Sequence, residues 1–164
     1  MIDPQDLSVE SRAAVSHLRA ILDHAFEFIG ILDVTGKLLE INVSALTFAG
    51  ISREQVIGQS FVDTPWWRWS PEQQAKLTAG IERAARNEFV RYEACHRGAG
   101  GHLEPIDSSL SPVADRSGTV THLVAEGRRD GDRQQLEREL RARAADLEAA
   151  RLTADTANQS KSEF

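Results

Sequence analysis

Hydrophobic residues recur along this chain with two different periods, and the change between them divides the sequence into helices and strands. From Leu7 to Ala25 apolar residues lie three or four positions apart, which predicts an amphipathic helix. Residues 26–33 and 38–42 are short apolar runs on either side of a glycine-containing turn, and they predict a β-hairpin. Alternating apolar and polar residues predict three further strands, at residues 89–97, 102–112 and 119–128.

Helix signals occupy the interval between the second and third predicted strands. Asn42 is a typical helix cap and Gly50 a typical helix end, so a short helix is predicted between them. A second short helix is predicted to end before Gly58, and Ser70 with Pro71 begins a longer one. Strands therefore flank a helical interval, and the predicted fold class is α+β.

An aromatic segment, residues 60–69, lies between the short helices and the long one. It contains all three tryptophans of the chain and Phe61. Pro65 excludes a regular helix through its middle, so the segment is predicted to be a bend. Tryptophan rings carry large apolar areas, so the bend either fills the core or walls a small apolar pocket.

The last part of the chain follows a heptad pattern. Seven positions spaced alternately by four and three residues carry Leu136, Leu140, Arg143, Leu147, Ala150, Ala154 and Ala157. This pattern predicts a dimeric coiled coil, and a single solvent-exposed helix is the alternative. The predicted domains are an N-terminal helix at residues 1–25, a sensor domain at residues 26–130 and a signalling helix at residues 131–164.

Composition and charge narrow the possible partners. The chain is 41% hydrophobic and 27% charged, as in soluble globular proteins, and no apolar run is long enough for a membrane span. The first residues are acidic and lack the apolar stretch of a signal peptide, so a cytoplasmic location is expected. Residues 128–164 carry eight basic and eight acidic residues, so the net charge of −6 belongs to residues 1–127. Without a basic face, neither nucleic acid nor a membrane surface is an expected partner.

No pattern in the sequence predicts an enzyme, a cofactor or a metal site. There is no nucleophile elbow and no phosphate-binding glycine loop. The short helices contain no cysteine for flavin chemistry, and the long helix contains no histidine that would ligate a haem. The single cysteine, Cys95, excludes an internal disulfide and is expected to be a small buried side chain.

The order of these elements resembles a PAS domain, over roughly residues 17 to 130. The similarity rests on the hairpin at residues 31–42, on Gly58, and on the closing strands with Gly100, Gly101 and Gly118 at their turns. It implies a five-stranded antiparallel sheet with short helices on one face. The tail is similar to the helix that leads from a PAS domain into a histidine kinase, which implies a non-catalytic sensor fragment of such a kinase.

A closer resemblance is to the sensor domain of the toluene-sensing, TodS-type hybrid kinases. It rests on residues 26–33, 39–42, 58–61, 66–67 and 88–91. It implies an apolar pocket for a monoaromatic ligand, lined by Phe28, Val56, Phe61, Trp67 and Ile106, with Trp66 as a further candidate. This sequence departs from the pattern with polar residues at His96 and Ser108, which favour a ligand more polar than toluene.

The expected function is therefore a sensor that binds a small apolar or aromatic molecule. Its signal would pass through a homodimer formed by the N-terminal and C-terminal helices. A relay domain that only dimerises and transmits, without a ligand, is the alternative. The size of any cavity beside Phe61 and Trp67 distinguishes the two, because a ligand needs room for its ring.

Overall fold

The computed structural model describes residues 9–162, with side chains for all of these except residues 9, 10, 130 and 132–135. The predicted helix start at Leu7 and the last two residues of the chain lie outside this range. The elements in order are α1 (Val9–Asp23), β1 (Phe28–Asp33), β2 (Leu38–Ile41), α2 (Val43–Ala49), α3 (Pro71–Ala85), β3 (Val90–Arg97), β4 (Leu103–Ala114), β5 (Val120–Arg129) and α4 (Asp130–Ser162). Residues through Arg129 form one compact unit, and α4 belongs to a second one.

The five strands form one antiparallel sheet in the order β2-β1-β5-β4-β3. The chain therefore pairs its first and last strands, β1 and β5, at the centre of the sheet. The predicted α+β fold class and the five-stranded sheet are confirmed. Pro105 lies in β4 opposite Cys95 of β3 and one residue before the pairing with β5 begins at Ile106, so it has a neighbouring strand on one side only, as a proline in a sheet requires.

The helix signals act where the sequence predicted. Asn42 accepts a hydrogen bond from the Ala45 backbone N–H at the start of α2, and Gly50 ends that helix with φ of 67°, in the left-handed region. Ser70 caps α3 by accepting from the Gln73 N–H. The second short helix is only a 3₁₀ turn, Arg53–Gln55, because a segment this short gains too few helical bonds.

The predicted first strand begins two residues later than expected. Phe26 lies outside the sheet and is 94% exposed, and β1 starts at Phe28. The reason is the carbonyl of Glu27, which accepts a hydrogen bond from the Asn42 side chain at 2.7 Å rather than from a neighbouring strand. The hydrophobic pattern alone did not reveal this competition.

The core lies between one face of the sheet and the helices. Leu32, Leu110 and Leu123 contribute buried side chains from three different strands. Helix α3 approaches closely at Gly80, where a Cβ atom would lie 3.0 Å from the Leu110 side chain. A helix residue larger than glycine at this point would push α3 away from the sheet.

Helix α4 is a single helix of 33 residues. The leucines of its predicted seam are exposed in the single chain, from 57% at Leu136 and Leu140 to 72% at Leu147. Within the described residues, no helix is both long enough and apolar enough to cross a membrane.

Candidate sensor cavity

A small cavity lies inside the core, between the inner face of the sheet and the aromatic segment. The space that the centre of a water-sized sphere can occupy in it is about 20 Å³. That is room for one water molecule, and far less than the ~150 Å³ of a cavity that holds benzene. The residues around it are mostly apolar and come from all five strands, from α2 and α3, and from the aromatic segment: Phe28, Gly30, Ile41, Ala45, Phe61, Trp66, Trp67, Leu77, Tyr92, His96, Ser108, Ser109, Leu110, Ala125, Glu126 and Gly127.

Four of the six predicted site residues, Phe28, Phe61, Trp66 and Trp67, line this cavity together. The other two do not. Val56 and Ile106 are each 1% exposed and belong to the core around the cavity. Ile106 packs against the position of Gly127, where a Cβ atom would lie 3.0 Å from its methyl group, so it supports the wall from behind.

The aromatic segment forms one wall, and it bends as Pro65 predicted. A 3₁₀ turn covers Phe61–Asp63 and ends at Thr64, whose backbone N–H and hydroxyl both donate to the Phe61 carbonyl, the hydroxyl at 2.6 Å. Trp66 then donates from its indole to the Ala45 carbonyl in α2, at 3.2 Å. These bonds point the Trp66 and Trp67 rings inward, and both are 2% exposed.

The opposite wall is built from small residues of the sheet. Gly30, Ala125 and Gly127 occupy neighbouring positions on the two central strands and line the cavity. Their size leaves the space that the tryptophan rings approach. The sequence analysis did not single them out, because only the strand pairing puts them opposite the aromatic segment.

His96 is the most unusual member of the site. Its ring is 5% exposed and lies between two aromatic rings, with centroids 4.5 Å from Trp67 and 6.1 Å from Phe28. Neither ring nitrogen has a hydrogen-bond partner among the described residues. Burial lowers the pKa of His96 to about 3, since the charged ring has no water around it, so the imidazole is neutral at pH 7.

Two more polar atoms of the cavity wall lack a partner in the described part of the chain. They are the indole Nε1 of Trp67 and the hydroxyl of Ser108, and Ser108 is 4% exposed. Buried polar groups in folded proteins are nearly always hydrogen-bonded, so three such side chains around one cavity need an explanation. The sequence signal was present: both His96 and Ser108 interrupt the apolar face of their strands.

Cys95 is the only other candidate for chemistry that the sequence raised. It lies beside His96 on β3 but is half-buried, and burial raises the pKa of its thiol. A raised pKa leaves little thiolate at neutral pH, so the thiol is a poor nucleophile. No group of three or more metal-ligating side chains occurs among the described residues.

PAS domains consist of a five-stranded antiparallel sheet with short helices packed on one face, and a cavity can lie between the two. The family model of the PAS fold matches residues 22–135, more than half of the chain. The chain therefore belongs to the PAS family, as the sequence analysis predicted.

Two curated relatives are sensor kinases. The chain is 36% identical over 132 residues to the sensor histidine kinase TmoS of Ectopseudomonas mendocina, covering 79% of this chain and 14% of that protein. It is 34% identical over 126 residues to hybrid signal transduction histidine kinase D of Dictyostelium discoideum, covering 70% of this chain and 8% of the relative. The chain thus spans a small part of the length of each kinase.

Solved structures support the fold. The PAS domain of Bordetella pertussis BvgS superposes with a TM-score of 0.59 at 18% identity, over 79% of this chain and 95% of that one. A PAS domain from Colwellia psychrerythraea gives a TM-score of 0.58 at 22% identity, over 71% of this chain and 96% of the other.

Proposed function

We propose that this PAS domain is the ligand-sensing part of a two-component histidine kinase and that it binds a small monoaromatic molecule in the core cavity. The observation that carries the proposal is the convergence of three unpartnered polar side chains, Trp67, His96 and Ser108, on one cavity with aromatic walls. A bound molecule with an apolar ring fits the aromatic walls, and a polar group on it would pair with some of these side chains. The two kinase relatives support the assignment to a sensor kinase.

The small volume of the cavity bears on how such a ligand would enter. A single ring needs several times the present space, so the wall must move outward when the ligand binds. The aromatic segment is the part of the wall made of turns rather than of paired strands. A ligand that binds only the expanded arrangement shifts the domain toward it, and this shift is the signal.

The relay alternative is favoured by the same volume. A core that holds no more than one water molecule is close to filled, as expected of a domain that transmits without a ligand. In such a domain the buried polar atoms of the cavity would form hydrogen bonds only to water. A binding measurement separates the two functions.

A thermal unfolding series with benzene, toluene and phenol tests the sensing proposal on the 164-residue chain. A ligand present at about ten times its Kd adds about 1.4 kcal/mol to the free energy of unfolding, so the Tm rises by about 4 °C. Ser108→Leu fills the cavity and should abolish this rise. Ser111→Leu, the same change on the same strand outside the cavity wall, should keep it. If no compound of the series raises the Tm of the wild type, the relay function replaces the sensing one.

We further propose that the N-terminal and C-terminal helices form a homodimer through which the signal passes. Helix α1 exposes apolar side chains at Val15, Leu18 and Ile21, each 48% or more exposed. Helix α4 carries the heptad seam and follows β5 without a break in the chain. Two copies would bury these residues against one another as a coiled coil.

Replacing Leu147 by aspartate is expected to weaken the dimer at least tenfold. The seam would then hold a buried charge without a partner, which costs more than about 1.4 kcal/mol. Leu152→Asp is the matched control, because Leu152 lies on the opposite side of α4 and is 59% exposed. Sedimentation equilibrium of both variants measures the effect. Equal dimer affinities for the two variants would contradict the coiled coil.

A further inference from the structure

The aromatic walls of the cavity indicate a ligand with a ring, and the polar atoms of the wall indicate which polar group that ligand carries. Neutral histidine has one ring nitrogen that donates and one that accepts, tryptophan only donates, and a serine hydroxyl does both. The wall therefore offers donors and acceptors together, on Trp67, His96 and Ser108. A hydrocarbon ligand leaves all of them unpaired, so it loses affinity relative to a ligand that pairs them.

The adjacent rings of His96 and Trp67 point to one main contact. The rings of His96 and Trp67 meet edge to face, with centroids 4.5 Å apart and planes at 71°. One oxygen atom beside this pair can accept from the indole N–H and donate to a histidine nitrogen. Ser108 lies on β4, four residues from the partner of His96, which is roughly 13 Å of backbone along the strand, so its hydroxyl is a separate contact.

Among the described residues that line the cavity, Glu126 carries the one charge and it is negative, so the wall excludes an anionic ligand group. His96 is neutral, and Phe28, Trp66 and Leu77 are apolar members of the same wall. An aromatic carboxylate would bury a negative charge that only accepts hydrogen bonds, while one histidine nitrogen needs a donor. A hydroxyl both donates and accepts, and it carries no charge.

We propose that the ligand is a monoaromatic molecule with a hydroxyl group, a phenol rather than an aromatic hydrocarbon, and that His96 and Trp67 bind that hydroxyl. This assignment rests on the sensing function proposed above and names the substrate class of the same cavity. His96 and Trp67 then determine specificity, and the aromatic walls bind the ring.

The test compares phenol with benzene, which differ only in the hydroxyl, by calorimetric titration of the 164-residue chain. An apolar cavity prefers benzene, because the phenol hydroxyl must lose its water. The proposal expects the opposite: a Kd for phenol at least about tenfold below that for benzene, from the hydrogen bonds regained. His96→Phe keeps the ring and removes both nitrogens, so it should reverse the preference. Ser108→Ala, which removes only the separate hydroxyl, should keep phenol preferred.

The possible results distinguish a failure of the phenol assignment from a failure of the proposed sensing function. Binding of benzene as tight as that of phenol would overturn the assignment of a phenol and leave the sensing function standing. Binding of neither compound would overturn both. If His96→Phe does not fold, Trp67→Phe provides a second test, because it removes the indole N–H and keeps a smaller aromatic ring; an unchanged preference for phenol in that variant would overturn the role of Trp67.

Discussion

Replacing Trp66 by alanine is expected to lower the free energy of unfolding by about 3–5 kcal/mol. Trp66 is 2% exposed, and its ring lies 6.1 Å from that of Phe61 within the core. The change removes this packing and also leaves the buried Ala45 carbonyl without its indole donor. Urea unfolding followed by circular dichroism measures the loss.

Trp69→Ala is the matched control for this prediction. Trp69 is only half-buried, although its indole also donates to a backbone carbonyl, that of Trp66, at 2.9 Å. Its loss should lower the free energy of unfolding by about 1–2 kcal/mol, since much of the ring is already in water. Equal losses for the two variants would mean that the aromatic segment does not anchor the core through Trp66.

Much of the fold could be predicted because several local signals agree with the global arrangement. Asn42, Gly50 and Ser70 each stand where a helix begins or ends in the structure. The hairpin and the three later strands follow from alternation and from glycine-containing turns. The predicted start of β1 was wrong by two residues, because the Asn42 side chain donates a hydrogen bond to the Glu27 carbonyl. This contact joins residues too far apart in the sequence for a local pattern to reveal it.

The candidate site could be predicted only in part, for a related reason. The large aromatic residues could be recognised from the sequence as candidates, and four of those predicted line the cavity in the structure. The small residues of the opposite wall become visible only when β1 pairs with β5, at the register Phe28 to Gly127 and Gly30 to Ala125. Val56 and Ile106 were expected to line the pocket, yet they are buried core residues that do not line this cavity.

The bonds of the aromatic segment offer a route by which ligand binding in the cavity would displace the surrounding elements. The Trp66 indole donates to the Ala45 carbonyl and so joins the segment to α2. The backbone carbonyl of Trp66 accepts from the backbone N–H of Arg97, at the end of β3. In the proposed sensing mechanism, a ligand ring that pushes Trp67 outward strains the bonds of the neighbouring Trp66 to α2 and to β3. Close packing passes such a displacement on, because the neighbouring side chains have no free space to absorb it.

Replacing Asn42 by alanine is expected to lower the free energy of unfolding by about 3 kcal/mol or more. The side chain is 1% exposed and joins four parts of the chain: its oxygen accepts from the backbone N–H groups of Ile29 and Ala45, and its nitrogen donates to the carbonyls of Leu22 and Glu27. Alanine leaves several of these buried groups unpaired, at about 1 kcal/mol or more each. Urea unfolding measures the difference.

Ser70→Ala separates this cross-linking role from ordinary helix capping. The one hydrogen bond of the Ser70 side chain among the described residues is the capping bond that it accepts from the Gln73 N–H, at 3.3 Å, so its loss should cost about 1 kcal/mol. The Asn42 variant should cost several times more, because Asn42 also holds the end of α1 and the start of β1. If the two variants lose the same stability, then Asn42 is only a helix cap, and the start of β1 is held by other contacts.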